Sequence, residues 1–123
     1  MPAATPQRLK FIRAMHLKQG RDFSRVRAQG QRLVLGCLIA NWRALPEGSA
    51  TRLGVVTSGK IGNAVVRNRA RRLMREAFRL HQHELARPLD LVLVARHSIG
   101  SKTFSGVEKD YLATLRRAGL VKQ

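Results

Sequence analysis

Apolar positions in this chain recur with two periods, and each change of period marks an element. Over residues 64–81 they recur every three to four. At roughly 100° per residue, with Arg67 at zero, Val66, Ala70, Leu73, Ala77 and Leu80 fall within about 220–300°. Asn68, Arg71, Arg72, Arg75 and Arg79 fall within about 40–140°, with Arg67 at the edge of that arc and Arg69 flanking it from the other side. One face is suited to a core and the other is a dense guanidinium surface. The pattern predicts a helix from 64 to 81 or 83, with Asn63 as its N-cap. Phe23 and Val26 among Arg21, Arg25 and Arg27 predict a short helix over 20–29, ended by Gly30. Residues 31–43 (QRLVLGCLIANWR) form a strand candidate that can break into two at Gly36. After the turn residues Pro46, Gly48 and Ser49, residues 53–57 (LGVVT) predict a return strand. Residues 89–95 (LDLVLVA) read as a buried strand. Val107, Tyr111, Leu112 and Leu115 stripe a final helix over 103–118.

The order α-β-β-β-α-β-α predicts a two-layer α/β sandwich built on one small sheet. Residues 1–16 are Pro- and Ala-rich without periodicity and are expected to be a mobile basic segment. Residues 17–119 form one domain, and 120–123 a tail.

Charge changes the picture next. Lys and Arg number 24 against 7 acids, a formal charge of +17, and 18 of the 24 are Arg. Such a charge destabilises a compact state by self-repulsion and calls for a polyanionic partner. Arg, with its planar fork of donors, suits phosphate oxygens. Nucleic acid fits better than a membrane. No apolar run approaches the roughly 18–20 residues that span a bilayer, and the basic helix has Ala and Leu on its apolar face without a Trp anchor. No apolar h-region follows the first basic residues, so no signal peptide is expected. Cys37 is the only cysteine, which excludes an internal disulfide and a Cys-based zinc site; it is expected to be a buried small hydrophobe. The expected location is cytoplasmic.

Candidate chemistry is sparse. The acids Asp22, Glu47, Glu76, Glu84, Asp90, Glu108 and Asp110 are scattered, whereas a metal-dependent nuclease needs them clustered. Glu108 and Asp110 are expected to offset Lys109 and Lys102. His81 and His83 are expected to be surface residues suited to a helix C-terminus, and the serines at 98, 101 and 105 to be caps. No acid, base or nucleophile constellation is evident. A binding surface remains. The residues alone leave open a non-catalytic RNA-binding or ribosomal protein; a DNA-binding protein is less suited, because no helix-turn-helix pair is evident.

Residues 61–78 (IGNAVVRNRARRLMREAF) resemble the signature of the bacterial ribonuclease P protein subunit, whose hallmark is the Arg-Asn-Arg core found here at Arg67, Asn68 and Arg69. Lys60, Arg71, Arg72, Arg75 and Glu76 also stand where the family has them. Residues 17–30, 53–60 and 89–96 resemble its first helix, the strand leading to the signature and its last strand. The resemblance implies a small mixed sheet with a left-handed β-α-β crossover, against the usual right-handed rule. It implies a protein that joins a catalytic RNA to remove the 5′ leader from precursor tRNA, with the active site and its Mg²⁺ ions in the RNA and no catalytic residue in the protein. By position, Lys60, Arg67, Asn68, Arg69, Arg71, Arg72 and Arg75 would contact the catalytic RNA, and no protein partner is required. A central cleft between the first helix and the sheet would hold the single-stranded leader, with Phe23 as its stacking aromatic. Arg27 stands where many members have a second aromatic, and Leu38 and Asn41 where strand aromatics are frequent. Arg27 can still stack through its guanidinium plane.

Overall fold

The computed structural model describes residue 11 and residues 15–122. Most of the expected mobile segment 1–16 lies outside the described residues. Of its described positions, Phe11 stacks on His16 and meets Phe78 edge-on, and His16 bridges to Leu53. The elements are α1 (Gly20–Gln29), β1 (Gln31–Leu35), β2 (Leu38–Ala44), β3 (Arg52–Val56), α2 (Ala64–His81), β4 (Leu89–Ala95) and α3 (Phe104–Ala118). The sheet order is β1-β2-β4-β3. β2 lies antiparallel to both β1 and β4, while β3 and β4 run parallel and are joined through α2. This is the expected α/β sandwich with a mixed sheet.

Local chemistry explains the boundaries. The 31–43 stretch breaks at Gly36, where Leu35 pairs with Leu38 across a two-residue turn. Gly36 has φ 58°, and glycine first at positive φ is the pattern of a type II′ hairpin. A Cβ there would fall 2.2 Å from Asp110 Oδ2. That carboxylate accepts the Cys37 N–H at 2.9 Å, so the turn is pinned to α3. Asn63 Oδ1 accepts the Val66 N–H at 3.1 Å, and Thr103 Oγ1 accepts the Gly106 N–H at 3.2 Å. Each removes one orphan donor from a helix start.

Strand alternation sends side chains to two faces. Leu38, Ala40, Trp42, Leu89, Leu91, Leu93 and Leu53 turn to α2 and α3 and form the main core with Met74, Phe78, Val107, Tyr111 and Leu115. The opposite face carries α1 and a smaller cluster of Leu17, Val26 and Val92, flanked by Phe23, Val56 and Val94.

The core stripe of α2 is not quite the expected one. Ala70, Met74, Ala77 and Phe78 are its buried residues, whereas Val66, Leu73 and Leu80 are half-buried. The buried face is turned by about 60°. The cause is the corner in which α2 sits: it packs on both the sheet and α3, and large side chains at 74 and 78 fill that corner. Truncating Phe78 to Ala would cost about 3–5 kcal/mol. The rotation also brings Arg67 and Arg71 to the core margin, where their stems are half-buried and their heads remain at the surface.

Candidate nucleic-acid interface

Three guanidinium groups in the amino-terminal half of α2 are oriented by neutral oxygens. Arg67 Nη1 donates to the Gly62 carbonyl at 2.9 Å and Arg69 Nη2 to the Lys102 carbonyl at 2.6 Å. Arg71 donates to Thr57 Oγ1 and to Asn68 Oδ1. Arg72 is exposed and Arg75 half-buried. Burial, and then the charge of Arg71, lower the pKa of Arg75, a sign of crowded positive charge. Among the described residues none of these five pairs with a carboxylate. Lys60 is exposed on the 3-10 turn Gly59–Ile61 that leads into α2, where Ser58 Oγ accepts its N–H. The first turn of α2 holds no acid. Arginines there oppose the helix dipole, whose positive end is the amino terminus. The sequence thus accumulates positive charge where an isolated fold would place acids.

The second surface lies across the sheet. Strand register aligns three rows on the α1-bearing face: Val34–Ile39–Val94–Val56, then Arg32–Asn41–Val92–Gly54, then Arg43–Asp90–Arg52. The first row is an apolar strip that α1 leaves half open; Val34 keeps 39% of its surface exposed. Phe23 is half-buried, with its ring over Gly54. A Cβ at Gly54 would lie 2.5 Å from the ring, so glycine is what lets the aromatic approach β3 this closely. Arg27 is exposed one turn further along α1. Asn41 is on this face, but Leu38 is buried in the main core on the other and cannot substitute for a cleft aromatic. In the third row the carboxylate of Asp90, 1% exposed, takes a bidentate pair of 2.8 Å bonds from Arg52. Arg43 stands 3.6 Å away, and Asp22 4.0 Å from Arg52.

A family model described as Ribonuclease P matches residues 11–119. The chain belongs to the ribonuclease P protein family. The ribonuclease P protein component of Syntrophomonas wolfei is 40% identical over 106 residues, covering 85% of this chain and 87% of that protein. The solved RNase P protein of Staphylococcus aureus superposes with a TM-score of 0.81 at 26% identity, over 89% of this chain and 100% of that one. The RNase P protein of Thermotoga maritima gives 0.73 at 28% identity, over 83% and 96%. Ribonuclease P is a tRNA-processing ribonuclease that acts with its RNA subunit, so the chain is the protein subunit of that enzyme and the ribonuclease P RNA is its partner.

Three expectations about this ribonuclease P protein are corrected. His81 is not a solvated dipole partner: its side chain is largely covered, with Nδ1 against Glu84 and Nε2 2.7 Å from Glu108. Desolvation opposes its charge, but the bonds it donates to both glutamates prevail and raise its pKa. Glu108 therefore serves His81 rather than Lys109, while Asp110 does meet Lys102, at 3.6 Å. Capping of α3 falls to Thr103, and Ser101 Oγ donates instead to the Ser98 carbonyl. Cys37 is fully buried, and burial together with Asp110 pushes its thiol up to about 12, which leaves it unreactive. No group of three or more His, Cys, Asp or Glu among the described residues is arranged to hold a metal. No described helix is long and apolar enough to cross a membrane. Sequence reasoning missed Arg32, Val34, Ile39, Val56 and Val94 as the open sheet face. The alternation in QRLVL and its register with β2 held that signal.

Proposed function

We propose that Lys60, Arg67, Asn68, Arg69, Arg71, Arg72 and Arg75 grip the ribonuclease P RNA, and that the cleft under α1 receives the single-stranded 5′ leader of precursor tRNA. The observation that carries the first part is the bonding of Arg67, Arg69 and Arg71 to neutral oxygens. Such bonds fix direction without cancelling charge, so each fork is pre-organised for a phosphate. The leader reading draws on Phe23 close over Gly54, on the half-open apolar row and on Asn41 beside it. A base stacked on an aromatic ring contributes about 1–3 kcal/mol; the exposed Arg27 adds a cation for the backbone. In this reading the RNA subunit holds the Mg²⁺ ions that activate water for phosphodiester hydrolysis, and the protein aligns substrate without touching the reacting atoms. The holoenzyme works in the cytoplasm and needs no protein partner.

Reconstitution tests both halves. The protein alone should leave precursor tRNA uncut at physiological Mg²⁺, and addition of the catalytic RNA should restore cleavage. Phe23→Ala should weaken binding of precursor with a leader about tenfold and mature tRNA hardly at all. Robust cleavage without RNA would overturn the first half, and equal losses on both substrates the second.

A further inference from the structure

Arg71 differs from Arg67 and Arg69 in what holds it. Arg67 and Arg69 are oriented by backbone carbonyls, those of Gly62 and Lys102. Arg71 is oriented by two side-chain oxygens: Nη1 donates to Thr57 Oγ1 and Nη2 to Asn68 Oδ1. Asn68 lies one turn earlier on the same helix. Thr57 comes from another element, 14 residues back, and ties the guanidinium to the end of β3. Alternation explains why its side chain faces α2. Val55 packs with the main core and Val56 with the cluster under α1, so the next position returns to the α2 side. Thr57 and Arg71 are both half-buried there, at the contact of α2 with β3. The neighbouring hydroxyl, Ser58 Oγ, is committed to the Lys60 N–H at 3.3 Å. Residues 48–75 contain no Asp or Glu, so this segment gives Arg71 a neutral oxygen and no counter-charge. Arg71 also stands close enough to Arg75 to lower the pKa of that residue, after burial. Two like charges left free would turn apart, whereas a fixed Arg71 keeps both forks on one surface.

From this arrangement we infer that Thr57 is a positioning residue for assembly with the catalytic RNA. Its hydroxyl holds the Arg71 fork in the direction that meets a backbone phosphate and touches no RNA itself. The inference rests on the α2 reading above and names the side chain outside the helix on which one of its arginines depends. An arginine is rich in rotamers, and ordering one at the moment of binding lowers affinity; a hydroxyl that orders it beforehand removes that loss.

The test is binding of the catalytic RNA by full-length protein over a range of salt concentrations. Thr57→Val keeps the β-branched shape and loses the oxygen; Thr57→Ala is a second variant in case the first melts low. Either should bind about two- to tenfold more weakly, as expected when one rotamer-rich side chain must be ordered at binding. The salt slope should stay that of wild type, because Arg71 keeps its charge and its phosphate. Thr57→Ser, which restores the hydroxyl, should recover most of the affinity. Arg71→Ala should bind more weakly still, with a slope lower by about one. Adding Thr57→Val to Arg71→Ala should cost nothing further, a coupling that a merely structural threonine would not show. If Arg71→Ala loses affinity while Thr57→Val binds like wild type, the inference falls and the α2 reading stands. If Arg71→Ala itself binds like wild type, the inference falls together with the place of Arg71 in that reading. Equal losses from Thr57→Val with and without Arg71 would show a role independent of the arginine and overturn the inference. Weaker binding of precursor tRNA with unchanged affinity for the catalytic RNA would assign Thr57 to the leader cleft and overturn it as well.

Discussion

At the amino-terminal end of α2, Arg67, Arg69 and Arg71 are held by oxygens without formal charge; at its carboxyl-terminal end, Glu76 holds Arg79, and Glu84 and Glu108 hold His81. Both sets are oriented, but only the second is neutralised. The second also agrees with the helix dipole, while the first opposes it. A folding protein gains little from cations at a helix start, so that cost is understandable only with a polyanion in place. The second set instead joins α2 to the chain that follows it and to α3, and Asp90 with Arg52 and Arg43 repeats this neutralised arrangement across the sheet. The acceptor that an arginine is given, rather than the arginine itself, separates binding from structural roles in this fold.

The largest effect that follows from this contrast is on assembly. Replacing Arg67, Arg69 and Arg72 together by Ala should reduce affinity for the catalytic RNA by about 10³-fold, about 4 kcal/mol. The salt slope should fall by about two to three, because each lost phosphate contact retains its counterion. The melting temperature should move by only a few degrees. Arg79→Ala, about two to three turns away, should leave RNA affinity nearly intact. A collapse in melting temperature of the triple variant, with RNA affinity preserved in the folded fraction, would erase the distinction between the two ends.

Asp90→Asn probes the neutralised class where it is most buried. The substitution removes the carboxylate that Arg43 faces and leaves Arg52 only Asp22, 4.0 Å away, and loss of a buried partner costs on the order of 3 kcal/mol. Arg52 and Arg43 retain partial access to water, 34% and 26% of their side chains, which keeps the cost at the lower end of that range. Thermal unfolding should shift down by about 10 °C, while catalytic-RNA affinity of the folded protein stays within about twofold. A variant that melts like wild type but assembles poorly would place Asp90 in the binding class.

The element boundaries were readable because local signals agree: Asn63 caps α2, Gly36 breaks the hairpin, and period-2 and period-3.6 patterns do not overlap. The residues proposed to face RNA stand out because charge sorts to one side of a helix. What was hidden depends on partners distant in sequence. The turn of the α2 core face comes from α3 occupying a corner, which a single helical wheel cannot represent. His81 appeared as a lone surface residue because Glu108, which covers it, is 27 residues away. The apolar row on the open sheet face joins residues of four strands, so it exists only once register is fixed. Phe23 is commonly a core residue by type; its half-buried position over Gly54 depends on β3, 31 residues away, and is what the proposed stacking role draws on.

The smallest effect is also the one with a sign fixed in advance. His81 has a folded-state pKa above its unfolded value, because the bonds to Glu108 and Glu84 outweigh desolvation. Its contribution is therefore fully present below the unfolded pKa, about 6.5, and is lost as pH rises through the folded one. Partly exposed pairs of this kind contribute about 0.5–1 kcal/mol. Thermal melts of wild type and His81→Gln from about pH 5.5 upward should differ by a few degrees at the acid end and converge at alkaline pH. Catalytic-RNA affinity should not distinguish the two proteins at any pH in that range. If the gap widens with pH, His81 is favoured in its neutral form. The carboxyl-terminal end of α2 would then be held by ordinary hydrogen bonds, and only the arginine–carboxylate pairs would remain on the structural side of the comparison.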